Sequence, residues 1–188
     1  MSTVKSHLQA NHHNILKRQA GAVLIVSLLL LLVMTLIGVT TMSTTSLEEK
    51  MAGNMRDKNV ALQSAEAALE DGESWLALLG TIPAENTACG SPPCDVWALN
   101  VLPNLSSQTQ SWWVSNGREY GVVATKDLSD VTTDPYYIIE AQSFVPDSLD
   151  MGQNPPTGKS IYRVTAHGTG GSDDSQSILQ TTFVKRFN

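Results

Sequence analysis

Ala22–Val39 reads AVLIVSLLLLLVMTLIGV, and everything else in the chain is arranged around it. No charged residue lies between Arg18 and Glu48, and no proline precedes Pro83. Some 20 consecutive apolar residues, about enough to cross a bilayer's hydrocarbon core as a helix, set the scale for such a run. A helix suits lipid because it satisfies all of its own backbone hydrogen bonds. The residues that follow, Thr40–Leu79, stay helix-forming, first small and neutral, then amphipathic. The pattern predicts one long helix over 22–79, with 22–39 transmembrane and 47–79 packed on a soluble domain.

The 188 residues suggest one compact domain plus this anchor. The net charge is −6, but Lys5, Lys17 and Arg18 all precede the apolar run with no acid among them. Without residues 1–21 the remainder would carry −6 − 3 = −9. So acidic a body lacks the basic footprint of a nucleic-acid binder. Its polarity excludes a polytopic membrane protein. Basic residues before the span, with Glu48 and Glu49 after it, place the N-terminus in the cytoplasm and the body outside.

Met1–Gly21, MSTVKSHLQANHHNILKRQAG, is short, polar and basic. His7, His12 and His13 have no cysteine or carboxylate beside them and read as composition rather than as a metal site. The junction at Gly21 allows three readings. In an ordinary secretory signal a small-residue cleavage site follows an h-region of about 7–15 residues; this run is longer and no A-x-A site is evident. An uncleaved signal anchor is the second. Cleavage at Gly21/Ala22, ahead of the apolar run, is the third, and glycine favours it because a residue without Cβ lets a protease approach the backbone closely.

Beyond the span, Leu47, Met51, Met55, Leu62, Ala65, Leu69 and Leu76 step at helical spacing and predict one buried face. Most of the charges, among them Asp57, Lys58 and Asp71, fall off that stripe. Gly38 and Gly53 are weak points, each costing about 1 kcal/mol against alanine. Residues 80–188 read as a β-rich globular domain. Thr81–Asn116 is loop-rich and holds four of the eight prolines. Cys89 and Cys94 are the only cysteines; outside the cytoplasm such a pair is expected to form a disulfide. Two thiols make a poor zinc site, and the spacing is not that of a redox C-x-x-C. Trp97, Trp112 and Trp113 are expected in a core rather than on a partner-binding surface.

Arg118–Lys126, Tyr136–Gln142, Ser160–His167 and Ile178–Lys185 read as strands, rich in β-branched and aromatic residues. Gly168–Gln176 reads as a hairpin link with a flexible tip. Four antiparallel strands packed on the helix stripe give an α+β domain. Asp147–Asp150 and Asp173/Asp174 lack the spacing of a calcium loop and read as solvated turns. His167 has no catalytic partner in the sequence pattern. No nucleophile-elbow, zincin, Walker or Rossmann motif occurs. The chain is therefore expected to be no enzyme, with no cofactor and no metal.

Lys17–Gly21, KRQAG, followed by the apolar run, resembles a prepilin leader and the N-terminal helix of a type IV pilin. Leu47–Glu73, LEEKMAGNMRDKNVALQSAEAALEDGE, resembles the minor pilins of the PilX family. So do YYIIE (136–140), YRVTAHGTGG (162–171) and ILQTTF (178–183); the likeness does not extend over Thr81–Gly117. The resemblance implies the type IV pilin fold. It implies cleavage after Gly21 by a prepilin peptidase and N-methylation of Ala22. Val26 stands where most pilins carry the glutamate that neutralises a neighbouring subunit's N-terminal amine, which implies a subunit at or near the filament tip. The implied function is priming of type IV pilus assembly, supporting adhesion and twitching motility. The implied partners are other minor pilins and the major pilin through the helix, a tip adhesin and the inner-membrane assembly platform. The implied location is the inner membrane, single pass, then the cell-surface pilus. A pseudopilin of a type II secretion system and a signal-anchored periplasmic binding protein are the alternatives.

Overall fold

The structure is a computed structural model that describes residues 21–89, 93–121, 128–147 and 157–187. The chain divides into two units, Met1–Glu49 and Lys50–Asn188. The described part of the first unit is helical from Ala22 onward. Its side chains are exposed throughout.

Helix α1 spans Ala22–Leu78, 57 residues, one residue short of the predicted end. In the second unit its buried positions are Ala61, Ser64, Ala65, Ala68, Asp71, Gly72 and Leu76. They repeat every three to four residues and so share one face. Small side chains dominate that face, which lets the backbone lie close to the sheet. At Gly72 an added Cβ would come within 2.9 Å of both Tyr137 and Val164. The predicted stripe therefore holds only in its later part. Ala65 and Leu76 are buried, whereas Leu47, Met51, Met55 and Leu62 remain exposed. The reason is reach: the sheet first meets the helix around Asp57–Ala61. Asp71, expected on the polar side, is buried at 3% exposure.

Four strands follow: β1 (Arg118–Glu119), β2 (Tyr136–Pro146), β3 (Gly158–Thr169) and β4 (Gln176–Phe187). They form one antiparallel sheet in the order β1-β2-β3-β4. The β3–β4 ladder is regular over twelve pairs, and β2–β3 carries one irregularity between Ala141 and Ser143. The expected strand over Arg118–Lys126 is shorter in its described part. Gly121 adopts φ +101°, a left-handed turn conformation, after Tyr120 has bonded to Pro135 O; residues 122–126 of that expectation lie outside the described residues.

Alternation places Tyr137, Ile139 and Ala141, with Tyr162, Val164 and Ala166, against the helix. Leu79, Val96 and Phe187 close that core. The opposite face of the sheet carries a second layer, where Tyr136 and Ile138 meet Trp97, Leu105 and Trp113. This layer is built from the loop-rich stretch, a 3-10 turn (Leu105–Ser107) and the short helix α2 (Gln110–Asn116). The Trp97 peptide bridges β2, its N–H donating to Ile139 O and its carbonyl accepting from Ala141 N–H, both at 2.8 Å.

Candidate functional site

Gly21 and Ala22 lie at a conformational boundary. Gly21 has φ +106°, and the next residue begins α1; the Gly21 carbonyl accepts from Ile25 N–H at 3.4 Å. Residues 1–20, with the three leader histidines, lie outside the described residues. From Ala22 the helix is apolar on every side, and Val26 is 61% exposed. It is long and apolar enough to cross a membrane. Its few hydroxyls are folded back onto the helix: Ser27 donates to Leu24 O, Thr35 to Leu32 O and Thr41 to Ile37 O, at 2.8–2.9 Å. Back-bonding of this kind leaves no hydroxyl of the three unsatisfied in an apolar surrounding. Met51 and Met55 extend the apolar surface into the amphipathic part.

The GTGG segment, Gly168–Gly171, is where the sheet meets α1 most closely. A Cβ at Gly168 would lie 2.2 Å from Ser64 Oγ and 2.4 Å from Ala65 N; one at Gly170 would lie 2.5 Å from Asp57 O. Ser64 Oγ lies 2.9 Å from the carbonyls of Ala61 and Thr169. Asp57 accepts from Gly171 N–H at 2.6 Å and from Ser172 Oγ at 2.7 Å. The Ser172 hydroxyl is the largest influence holding its carboxyl below the usual range. Asp173 accepts from Thr133 Oγ1 at 2.9 Å. The hairpin tip, expected to be flexible, is thus pinned on both sides. The sequence reading missed Asp57; the acid's place one turn before the buried face was the available signal.

At the other end of α1, Lys185 Nζ lies 2.8, 2.6 and 2.5 Å from the carbonyls of Leu76, Ala77 and Leu79. Leu76 and Ala77 are among the last residues of the helix, whose carbonyls lack intrahelical partners, and Leu79 follows directly; a cation there also suits the helix dipole. Sequence reading took Lys185 only as the end of a strand. Buried Asp71 accepts from Gly121 N–H at 3.3 Å. Burial, then the Asp71 carboxylate, push the Tyr137 phenol well above its ordinary value.

In the second layer the expected disulfide is present between Cys89 and Cys94, with Cα atoms 5.8 Å apart. Both cysteines pack on the Trp97/Trp113 cluster. Trp97 and Trp113 are buried as expected, and Trp112 is half-buried. Trp113 stacks on His167 with ring centroids 5.1 Å apart. His167 is fully buried, 3.3 Å from Gln176 Oε1, and burial pulls its pKa below the ordinary histidine value. It is a packed core residue here. Asp147 pairs with Arg186 at 2.6 Å; residues 148–150 of its loop lie outside the described residues. Among the described residues no three His, Cys, Asp or Glu side chains gather as a metal site.

An uncovered apolar N-terminal helix that runs on into one packed against a four-stranded antiparallel sheet defines a membrane-anchored protein of the pilin type. The family model for the PilX N-terminal region matches residues 20–70, and the model described as type IV pilus assembly protein PilX, C-terminal, matches residues 54–185. The chain belongs to the PilX family of type IV pilus minor pilins, structural components that assemble with other pilus subunits. The second match runs through Thr81–Gly117, where the sequence by itself showed no likeness. No curated protein matches the chain, and no solved structure does.

Proposed function

We propose that this minor pilin primes type IV pilus assembly and occupies a position at or near the filament tip, supporting adhesion and twitching motility. The observation that carries the reading is Val26, an exposed apolar side chain in an exposed apolar helix, where the family resemblance places a glutamate. A carboxylate in a lipid-facing helix is costly, and neutralising a neighbour's amine would offset that cost. A subunit with no such neighbour gains by replacing the acid with valine.

In this reading the prepilin peptidase removes residues 1–21 and Ala22 is methylated. The precursor spans the inner membrane once, with its N-terminus cytoplasmic and its body periplasmic. Its helix then leaves lipid for a bundle of like helices from other minor pilins and the major pilin. The folded unit selects neighbours, among them a tip adhesin, on the assembly platform. N-terminal sequencing and intact mass of the protein from its own host test the processing step. A methylated Ala22 is expected; a chain beginning at Met1 or beyond Val39 would refute it. Immunogold labelling of sheared pili tests position, with label at one end expected and label along the shaft refuting the tip.

A further inference from the structure

We infer that the cleft over the outer face of the sheet binds a neutral saccharide, one or two sugar units in size. The cleft has a volume of ≈ 440 Å³ and lies between the Asn100–Ser106 loop and strands β2, β3 and β4. That volume falls within the range of about 300–1,000 Å³ that small-molecule sites occupy. It is separate from the helix surface that the assembly reading uses, and the inference stands whether or not the subunit sits at the tip.

The charge in the cleft comes from one pair. Glu140 is 3% exposed, and Arg163 holds it through Nε to Oε2 and Nη2 to Oε1, both at 3.0 Å. The two residues are directly opposite each other in the β2–β3 register. Their charges cancel, so a charged ligand would enter without a counter-charge, whereas a neutral polar one incurs no such penalty. The other polar groups of the lining are amides and hydroxyls. Gln180 Nε2 donates to Thr165 Oγ1 at 3.1 Å, which leaves the Gln180 side-chain carbonyl as an acceptor in the lining. Asn104 accepts from Ser106 N–H at 3.1 Å and from Ser106 Oγ at 2.8 Å, which commits its Oδ1 and leaves its NH₂ as a donor. Ile178 adds an apolar patch beside them.

Fixed amide and hydroxyl groups flanking an apolar patch match the two aspects of a sugar ring, its equatorial hydroxyls and its C–H face. The orienting side chains are themselves held by hydrogen bonds, so little freedom is lost when they engage a ligand. Asn100, at φ +60°, turns the loop that forms the cleft's outer wall.

The test is saturation-transfer difference NMR on the full chain in a detergent without a sugar headgroup, with maltose and lactose as neutral probes and glucuronate as the anionic comparison. Binding of a neutral probe in the millimolar range or tighter is expected, with affinity at least tenfold lower for Gln180→Leu and for Asn104→Ala. Ser129→Ala, which lies at a different crevice, is expected to leave affinity unchanged. Thermal melts of each variant separate lost affinity from lost fold, and a competing pair that melts like the parent decides the matter. No binding of either neutral sugar, equal binding of glucuronate, or binding that both cleft variants leave unchanged would overturn the inference.

Discussion

Glycines that look alike in the sequence do opposite work. Gly168 meets helix backbone on the side where a Cβ would go, whereas Gly53 has nothing within 4 Å. Gly168→Ala is therefore expected to lower stability by about 1–3 kcal/mol, as over-packing does. Gly53→Ala is expected to raise it by up to about 1 kcal/mol through helix propensity. Chemical denaturation of the two variants in the same detergent checks both signs. His167 makes a pH prediction. Its folded pKa lies below the unfolded value of 6.5, so the unfolded chain binds the proton first as pH falls. Stability should decline from about pH 6.5 down to the depressed folded pKa, by at most about 1.4 kcal/mol per unit, and flatten below it. Melting the parent and His167→Gln across pH 7.5 to 5 checks this, the variant losing the slope. The effect of Asp57 falls in a lower window: its depressed pKa stabilises above 3.8 and is lost as pH drops through the folded value. The helix cost of Gly53 was legible in the sequence; the close approach at Gly168, the burial of His167 and the partners of Asp57 were not. Contact and burial are long-range facts.

Among the elements, β2, β3, β4 and the apolar half of α1 were legible because their patterns are local. Tyr162, Val164 and Ala166 alternate inward as the period of two demands, and all three are buried. The amphipathic half was legible only in part. Leu47, Met51 and Met55 continue an apolar stripe past the last place the sheet covers it, and periodicity carries no information about where a partner stops. The helix end was legible to within one residue, but its cap was not, because the cap comes from β4. Lys185→Met should cost about 2 kcal/mol, since it removes charge-assisted bonds to carbonyls at the end of α1. Lys159→Met, on an exposed strand position, should change stability by under about 0.5 kcal/mol. Thermal melts compare them. The Cys89–Cys94 bridge was legible from compartment and pairing alone. Its short loop predicts a loss of about 2 kcal/mol on replacement of both cysteines by serine. A red shift of tryptophan emission should accompany it, because both cysteines pack on the buried tryptophan cluster.

At the scale of the whole molecule, the exposed apolar surface of Ala22–Val39 is long enough to cross a membrane and fits an anchored subunit. Under the tip reading, Val26→Glu places a carboxylate where no amine meets it. Surface piliation counted by electron microscopy should fall several-fold, with the protein still present in the membrane fraction; unchanged piliation would count against the tip position. The family was legible in the apolar helix, the Leu47–Glu73 run and the later strands, segments that the family matches cover. The cleft was not, because its walls come from a loop and three strands that only the fold brings together.

The contacts that complete the soluble half of α1 come from 105 to 118 residues later in the chain. A ribosome makes that helix well before it makes Ser172 and Lys185. Closing loops of this length is slow relative to local helix formation. Birth order and completion order are thus reversed. A nascent subunit stalled before Lys185 would have an anchor but an unfinished helix end, and protease resistance of the body should appear only after that lysine clears. The soluble half of α1 is completed only once β4 has been made.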